Sequence, residues 1–252
     1  MQKKLLKTEK KIKAAKVNPY DLVAHIYPDL MSEVNYKRWA KYIYKISKDH
    51  IKPDAMILEL ASGNCSLASV LKTKYQNVIC SDLSLQMIKQ GRFDTKIVCN
   101  MLQLPFKIKF DLIFSSFDSI NYITSQNKLL DLFSHIHQYL YDNGIFTFDV
   151  SLETNSYNHQ KDSKIKGRMG QYKYSRKSVY NEKTKIHKNI FYLTDKNGKL
   201  FTEIHKQKIY DFNTYFNLLD KAGFYVLHCY HAFTKKDASA DMDRVQFIVK
   251  RK

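Results

Sequence analysis

Short apolar runs alternate with amphipathic stretches between residues 56 and 150, and this alternation constrains the fold more than any other feature. The apolar runs are Met56–Leu60, Asn77–Ser81, Lys96–Cys99, Phe110–Ser115 and Gly144–Val150. Runs of this length predict strands, and the longest stretch between them, Ser125–Tyr141, has the apolar spacing of a helix. Strands that alternate with helices indicate a parallel, doubly wound sheet with both faces covered.

The pattern changes after Val150. The next apolar segments read as consecutive strands without intervening helices, and Asp-Lys-Asn-Gly at 195–198 is a typical hairpin turn. A helix starting at Phe212 then restores the α/β pattern, and two last strands, Phe224–Phe233 and Arg244–Lys250, complete a Rossmann-like sheet of seven strands. We predict a basic N-terminal arm (1–19), an α/β core (20–150 and 212–252) and an inserted small antiparallel sheet that serves as a lid (151–211).

The positive charge lies mainly outside the predicted core. Residues 1–20 hold seven lysines and one acid, residues 21–150 hold 14 basic and 13 acidic side chains, and residues 151–252 hold 21 and 10. The total of +18 fits a polyanionic partner such as RNA, or an acidic substrate. The lysines are spread rather than clustered, so a lysine-rich composition without such a partner explains them as well.

The cysteines and the hydropathy bear on the cellular compartment. The four cysteines form no Cys-x-x-Cys pair and have no histidine at zinc-finger spacing, so we expect reduced thiols and no metal site. No segment has the length of apolar sequence that a membrane helix needs, and the N-terminus lacks the apolar region of a secretory signal. We therefore expect a cytoplasmic protein.

A tight turn follows the first predicted strand of the core. Glu59 lies near the end of that strand, and the small residues of 61–63, including Gly63, open the next helix. Small residues let a ligand approach the backbone closely at the carboxyl end of a sheet. The second strand ends at Asp82, where a carboxylate can accept hydrogen bonds from both hydroxyls of a ribose. Together the turn and the acid indicate a nucleoside-binding site.

Six segments carry a resemblance to the class I S-adenosylmethionine-dependent methyltransferases. They are Leu58–Cys65, Cys80–Met87, Asn100–Phe106, Phe110–Ile113, Phe117–Tyr122 and Asn143–Asp149. The resemblance implies a Rossmann-like fold, methyl transfer from S-adenosylmethionine and release of S-adenosylhomocysteine. It also implies roles for individual residues. Glu59 and Gly63 would hold the methionine part, Asp82 the ribose, and Leu83, Asn100 and Met101 the adenine. Further cofactor contacts are expected from Ala61, Met87, Ser116 and Phe117.

Three positions depart from the family pattern. Ala61 and Cys65 replace two glycines of the loop, and Asn100 replaces an acid. Alanine is a small change, whereas cysteine is larger and could crowd the loop. An asparagine carbonyl can still accept a hydrogen bond from the adenine amino group. These changes leave open a protein that binds the cofactor without turnover.

A narrower resemblance lies outside the core motifs. Tyr27-Pro-Asp-Leu-Met31, followed by Tyr36 and Trp39, is similar to the entrance segment of small-molecule methyltransferases, the glycine/sarcosine and amino-sugar N-methyltransferase-like group. Residues 203–210 resemble the last strand of the sheet that covers their substrate pocket. The resemblance implies that Tyr27 and Trp39 wall the cofactor and that His205 and Tyr210 line the substrate pocket; each could equally be an ordinary core or sheet residue.

Three functions are compatible with these features. The first is an enzyme that methylates an N or O atom of a small molecule, with His205 as a candidate base. The second is an RNA-modifying methyltransferase that uses the basic flanks, although no RNA-binding module and no Asn/Asp-Pro-Pro-Tyr/Phe motif is present. The third is a non-catalytic cofactor-binding protein.

Overall fold

The computed structural model describes residues 14–161 and 164–252 and contains two sheets of different construction. The strands of the larger one, the core sheet, are β2 (Met56–Leu60), β3 (Asn77–Asp82), β4 (Lys96–Val98), β5 (Phe110–Ser115), β6 (Leu140–Ser151), β11 (Phe224–His231) and β12 (Arg244–Arg251). Their spatial order is β11-β12-β6-β5-β2-β3-β4. The strands from β6 to β4 pair in parallel, whereas β12 is antiparallel to both of its neighbours. The predicted seven-stranded doubly wound sheet is confirmed.

Helices cover both faces of the core sheet. The α-helices of the described residues are α1 (Val23–Leu30), α2 (Tyr36–Ser47), α3 (Ser66–Leu71), α4 (Leu85–Gln90), α5 (Gln126–Tyr139), α6 (Glu153–Lys161) and α7 (Phe212–Lys221). One apolar core joins α5 and α7 to the sheet, and a second joins α2, α3 and α4 to its opposite face. Burial on both faces explains why strands such as β2 are almost continuously apolar. No helix among the described residues is long and apolar enough to cross a membrane.

The order of the core sheet reverses at β2, which pairs with β3 on one side and β5 on the other. The crevice beyond the carboxyl ends of the strands at such a switch point is where open α/β sheets bind ligands. The residues that end β2, β3 and β5 are Leu60, Asp82 and Ser115. The fold therefore gathers the predicted cofactor loop and the predicted ribose acid at one edge.

The second sheet, here called the small sheet, has five strands. They are β1 (Ala15–Val17), β7 (Lys164–Met169), β8 (Tyr172–Asn181), β9 (Ile186–Thr194) and β10 (Leu200–Lys208), in the spatial order β1-β10-β9-β8-β7. Strands β7 to β10 are antiparallel, as the sequence predicted for this region. Three details differ from the prediction. A helix, α6, precedes the strands, β7 is an additional strand, and the N-terminal arm supplies β1, which pairs in parallel with β10.

The two faces of the small sheet have different chemistry. Its inner face is buried against α1 and the carboxyl edge of the core sheet, and its outer face is exposed. Inner-face residues are Tyr172, Tyr174, Arg176, Ser178 and Tyr180 of β8, His187, Asn189, Phe191 and Leu193 of β9, and Phe201, Glu203, His205 and Gln207 of β10. Helix α1 covers the apolar half, where Val23 and Ile26 pack against Tyr172, Phe191 and Leu193.

Candidate active site

The loop between β2 and α3 has a left-handed backbone at alternate residues. The φ angles are 52° at Ala61, 59° at Gly63 and 60° at Cys65. L-residues with a side chain are strained in this region by about 1–2 kcal/mol, which explains why related loops carry glycine at these positions. The change at Ala61 is therefore not neutral, because its cost lies in the backbone conformation rather than in the side-chain volume. A Cβ atom at Gly63 would lie 3.1 Å from Met87 Cε and 3.7 Å from the Tyr27 hydroxyl.

Asp82 fixes this loop against the start of α4. Its Oδ2 accepts a hydrogen bond from the Gly63 amide at 2.7 Å, and its Oδ1 accepts one from the Ser84 amide at 2.8 Å. Burial raises the pKa of the Asp82 carboxyl, and these amide donors oppose the rise. Each oxygen keeps a further lone pair. The arrangement can therefore receive two hydroxyl donors without losing its backbone contacts.

The other residues predicted to contact the cofactor differ in their exposure to solvent. Glu59 is 2% exposed, and burial raises the pKa of its carboxyl well above the usual range. Leu83, directly after Asp82, is 69% exposed. An apolar side chain exposed beside a polar carboxylate has the position that a planar base would cover. Met87 is buried under the loop, and Met101 packs at the edge of the core.

Asn100 has already used part of its hydrogen-bonding capacity. Its side-chain Oδ1 accepts from the Leu102 amide at 3.0 Å, and this bond shapes the turn after β4. One lone pair on the carbonyl and the side-chain NH₂ remain available. Asparagine can therefore order this turn and still contact a base, which is compatible with the expected role.

The segment after β5 places aromatic and polar groups beside the loop. Ser116 is 3% exposed, and its hydroxyl has no hydrogen-bond partner among the described residues. The Phe117 ring lies 4.4 Å from the Trp39 ring and 5.8 Å from the Tyr36 ring, measured between centroids. Trp39 is 8% exposed and belongs to the core that includes α2. It is thus a core residue that also supports Phe117.

An aromatic group missed by the sequence analysis links the core to the small sheet. The Tyr20 ring centroid lies 6.3 Å from that of Tyr27, 6.2 Å from that of Tyr122 and 4.6 Å from that of His205. The backbone of Tyr20 is left-handed, with φ of 65°. Tyr27 itself lies against Gly63. Tyr27 and His205, predicted to approach each other, are therefore joined through Tyr20, while Trp39 contacts neither ring.

His205 lies in a chain of four side chains. Its Nε2 is 2.8 Å from Glu203 Oε1, and its Nδ1 is 2.9 Å from the Tyr122 hydroxyl. The Tyr122 hydroxyl is in turn 3.0 Å from that of Tyr20. Burial raises the pKa of both phenols well above 10, so they remain protonated. The chain runs from a carboxylate on the small sheet to a phenol beside the cofactor loop.

Glu203 also holds the N-terminal segment. It is fully buried, and its two oxygens accept hydrogen bonds from the backbone amides of Tyr20, Leu22 and Val23 as well as from His205. Four N–H donors around one carboxyl group match an ionised carboxylate, which only accepts. The carboxylate therefore fixes His205 and the start of α1 together.

A second buried ionic group lies behind Phe117. Arg244 contacts the carboxylates of Asp118 and Asp149, and its guanidinium carbon lies 5.9 Å from the Trp39 ring centroid. Burial raises the pKa of Asp149 to about 6, although the neighbouring arginine opposes the rise. Asp149 also accepts from the Asp118 amide at 2.9 Å. Its other oxygen, Oδ1, is buried and has no partner among the described residues.

Tyr210 lies apart from the His205 chain. Its hydroxyl donates to the Ile123 carbonyl at 2.8 Å, and its ring packs against Tyr215 in the core beside α7. The expectation that it shares a pocket with His205 has no contact to support it.

Comparison with known proteins agrees with this geometry. Residues 57–144 match the family model described as a methyltransferase domain. This part of the chain matches a methyltransferase domain, and the core sheet has the class I fold. One solved structure of the same fold is described as an amino pentose methyltransferase with S-adenosylmethionine bound.

Relatives and solved structures extend the likeness to most of the chain. The “Putative methyltransferase YqeM” of Bacillus subtilis is 27% identical, with 90% of this chain and 95% of the relative covered. A protein of Geobacillus sp. strain WCH70 with a similar name is 28% identical, at 92% and 99% coverage. An S-adenosylmethionine-dependent methyltransferase from Clostridium acetobutylicum superposes with a TM-score of 0.76 at 22% identity, covering 92% of this chain and 98% of that one. The sugar N-methyltransferase KedS8 from Streptoalloteichus gives 0.69 at 13% identity, at 89% and 91% coverage.

The chain has three functional candidates to which the sequence analysis assigned no role: Tyr20, Tyr122 and Glu203. Tyr122 closes a recognised motif and Glu203 precedes His205 by two positions on one strand, so alternation alone places Glu203 and His205 on one face. No sequence signal brings Tyr20 to them, because its position depends on the parallel pairing of β1 with β10.

Proposed function

We propose that the protein transfers a methyl group from S-adenosylmethionine to an N or O atom of a small molecule held between the core sheet and the small sheet. The observation that carries this proposal is the chain Glu203–His205–Tyr122–Tyr20. It joins a buried carboxylate to a phenol that stands beside the loop of Gly63. Such a chain can remove a proton from a nucleophile at that point.

The residues present fit the cofactor at the carboxyl edge of β2 and β3. Asp82 would hold the ribose, Gly63 and Ala61 would let the methionine part approach the loop, and Leu83 would cover the adenine. The buried Ser116 hydroxyl, which lacks a partner among the described residues, would receive a polar group of the same ligand. When bound, the cofactor supplies a methyl group on a sulfonium, whose departure leaves a neutral thioether.

Proximity and alignment dominate the catalysis of such a displacement. The Tyr20 and Tyr27 rings wall the space above Gly63 and exclude water from it. Aromatic faces also attract a cation by about 0.5–2 kcal/mol. Both effects favour a charged methyl donor at this place, and both depend on α1 and the segment before it staying packed on the inner face of the small sheet.

His205 is suited to accept the proton that the nucleophile loses. Glu203 only accepts, so Nε2 of His205 carries a proton toward it, and Nδ1 is left to accept from the Tyr122 hydroxyl. Tyr20 then donates to Tyr122 and has a free lone pair for the acceptor. As the acceptor gives its proton to Tyr20, Tyr20 gives its own proton to Tyr122, and Tyr122 gives its proton to Nδ1 of His205. The imidazolium that results is stabilised by Glu203.

A second function is favoured by the outer face of the small sheet, which has many cations and no acid on its described strands. Register and alternation place there Lys16, Lys164, Lys166, Arg168, Lys173, Lys177, Lys188 and Lys206, all exposed. An RNA would neutralise such a face and release counterions, so its binding would weaken steeply with salt. RNA is therefore the alternative acceptor.

The proposal places the protein in the cytosol and retains the division of the chain. All four cysteines are free thiols, as a reducing compartment keeps them. The arm (1–19), the methyltransferase core (20–150 and 212–252) and the lid (151–211) remain our proposed units. The described part of the arm, residues 14–19, would be a part of the lid in function, because β1 pairs with the last strand of the lid. The rest of the predicted arm, 1–13, lies outside the described residues.

One labelling experiment tests the proposal and its alternative together. The protein is incubated with S-adenosylmethionine that carries an isotopic methyl label, once with a deproteinised small-molecule extract and once with purified total RNA. We expect label in a small molecule with the wild-type protein and its loss with His205→Gln. Label in the RNA alone would favour the second function. Cofactor binding without label in either fraction would contradict both.

A further inference from the structure

The polar half of the inner face of the small sheet holds groups that the proposed proton chain does not use. Strand register arranges them in rows across β8, β9 and β10. Arg176 is in register with Phe191 and Glu203, Ser178 with Asn189 and His205, and Tyr180 with His187 and Gln207. Partners in antiparallel register point to one side of a sheet. Arg176, His187 and His205 therefore face the same space.

His187 is buried without a hydrogen-bond partner. It is 3% exposed, and neither ring nitrogen has a partner among the described residues. Its ring is stacked on Tyr180, at a centroid distance of 6.3 Å, and lies 6.0 Å from the His159 ring. Burial lowers the pKa of His187 to about 4, with a further lowering by His159 and Arg176 and opposing effects of Asp118 and the nearby Asn189 side chain, which makes no hydrogen bond of normal geometry with the ring. A buried imidazole without partners costs free energy that a ligand can recover.

Arg176 is a partly buried cation without a counter-ion in the described part of the chain. Its Nε is buried and has no hydrogen-bond partner, and burial lowers the pKa of its guanidinium. The acids nearby are engaged elsewhere. Glu203 receives four N–H donors, and Asp118 contacts Arg244 and the Ser151 hydroxyl. An uncompensated cation in such a place calls for an anion from outside the chain.

We propose that Arg176 and His187 form a binding site for an oxyanion, a carboxylate or a phosphate, of the methyl acceptor. Arg176 and His187 are one strand and four residues apart, with about 14 Å between their Cα atoms. An oxyanion between the ends of the two side chains would accept a hydrogen bond from each. A guanidinium presents a planar fork that matches either oxyanion with two hydrogen bonds. The inference rests on the proposed small-molecule function and narrows its substrate to an anionic class.

The spacing of the sheet lets one small acceptor reach both this site and the proton chain. Arg176 and His205 are two strands and one row apart. With about 4.8 Å between strands and about 3.4 Å per residue, their Cα atoms are separated by about 12 Å. Both side chains point into the space between. An acceptor with its nucleophile and its anionic group a few bonds apart fits this span.

The test uses inorganic phosphate and acetate as probes at constant ionic strength. The His187 ring resonances of the wild-type protein are followed by NMR during each titration. We expect a saturable shift with a dissociation constant in the millimolar range, about −4 kcal/mol, and a rise of the His187 pKa when the anion is bound. Preference for one probe identifies the anion as a phosphate or a carboxylate.

Two variants make the result specific. Arg176→Gln should weaken anion binding at least about tenfold, or 1.4 kcal/mol, whereas Lys221→Gln, which removes an equal charge from the exposed end of α7, should leave it unchanged. Retained cofactor binding shows that each variant is folded. Absence of a saturable shift, or a shift that survives in Arg176→Gln, overturns the inference. The labelling experiment separates the two proposals: labelled product without anion binding defeats only the anion site, and anion binding without product defeats only the proposed function.

Discussion

The two halves of the candidate site are built in different ways. The cofactor half comes from one turn and one carboxylate, which follow two adjacent strands within residues 59–83 and are held together by backbone amides. The acceptor half comes from side chains of β8, β9 and β10, of the segment before α1, and of the turn after β5. The residues of the cofactor half are close together in the sequence and are held by the backbone conformation of the loop. The residues of the acceptor half come from distant parts of the sequence and are held by buried side-chain contacts. Substitutions in the two halves should therefore have separable effects.

The largest difference between the effects on the two halves is expected for His205→Gln. If the proton chain serves the acceptor, kcat for an acceptor that must lose a proton falls by about 10²–10⁴, the usual contribution of a positioned acid or base. Cofactor affinity should not change, because His205 lies in the acceptor half. The check is steady-state kinetics beside a cofactor titration, with His228→Gln, an exposed histidine on β11, as control. An equal loss in kcat for the control would contradict the assignment.

Asp82→Ala is expected to weaken cofactor binding and to leave the acceptor half intact. Loss of the carboxylate leaves ribose hydroxyls and the Gly63 amide without an acceptor, which should weaken cofactor binding by about 1–3 kcal/mol. Fluorescence of Trp39, the single tryptophan of the chain, can report the titration because its ring contacts Phe117. Asp94→Ala removes an exposed acid from the neighbouring turn and should have no effect. Unchanged affinity in Asp82→Ala would reduce Asp82 to a helix cap.

Acid should act on the acceptor half through His187. Its folded pKa of about 4 lies below the value of about 6.5 for an unfolded chain. The unfolded state therefore binds the proton first, and the stability falls as pH decreases from about 6.5 to about 4. Among the titratable groups around this ring, Arg176 and His159 strengthen the effect and Asp118 opposes it, while the Tyr180 phenol stacks on the ring.

The variant His187→Asn isolates this contribution. Asp149, with a folded pKa of about 6, has the opposite effect on the pH dependence of stability. It contributes stability that is lost as pH rises through about 6, and this contribution is the same in both proteins. The free energy of unfolding of each protein is measured with urea at both pH values. The difference, variant minus wild type, should be more positive by about 1–3 kcal/mol at pH ~4.5 than at pH ~8. An identical pH dependence in both proteins would show that His187 is protonated as readily in the folded state as in the unfolded one.

The smallest effect is expected at Ala61, in the cofactor half. Ala61→Gly relieves a left-handed conformation worth about 1–2 kcal/mol, and the greater freedom of glycine in the unfolded chain offsets about 0.4–1 kcal/mol. We expect a net gain of about 0.5–1 kcal/mol in the free energy of unfolding, measured by urea denaturation. Ala222→Gly in the last turn before Gly223, where φ is −82°, is the matched control and should destabilise. A loss at Ala61 would mean that its methyl group packs usefully.

The same contrast explains what could be predicted from the sequence. The core sheet, its seven strands and the loop with Asp82 follow from apolar periodicity and from motifs contiguous in the chain. Strands β8, β9 and β10 of the small sheet were also predicted, whereas β7 was not. Tyr27 and His205 were named as candidates from a motif resemblance, and their roles stay predictions. The pairing of β1 with β10 was not predicted, because three residues carry too little pattern to show their partner. The contact of Tyr20 with Glu203 therefore became visible only when the fold joined segments about 180 residues apart.

Every role proposed above depends on S-adenosylmethionine binding at the carboxyl edge of β2 and β3. Calorimetric titration of the full chain with S-adenosylhomocysteine, the product, tests it without any knowledge of the acceptor. We expect saturable binding to one site per chain, weakened by Asp82→Ala and unaffected by His205→Gln. Absence of binding at millimolar ligand, or binding that Asp82→Ala leaves intact while His205→Gln abolishes it, would contradict a cofactor site at this edge.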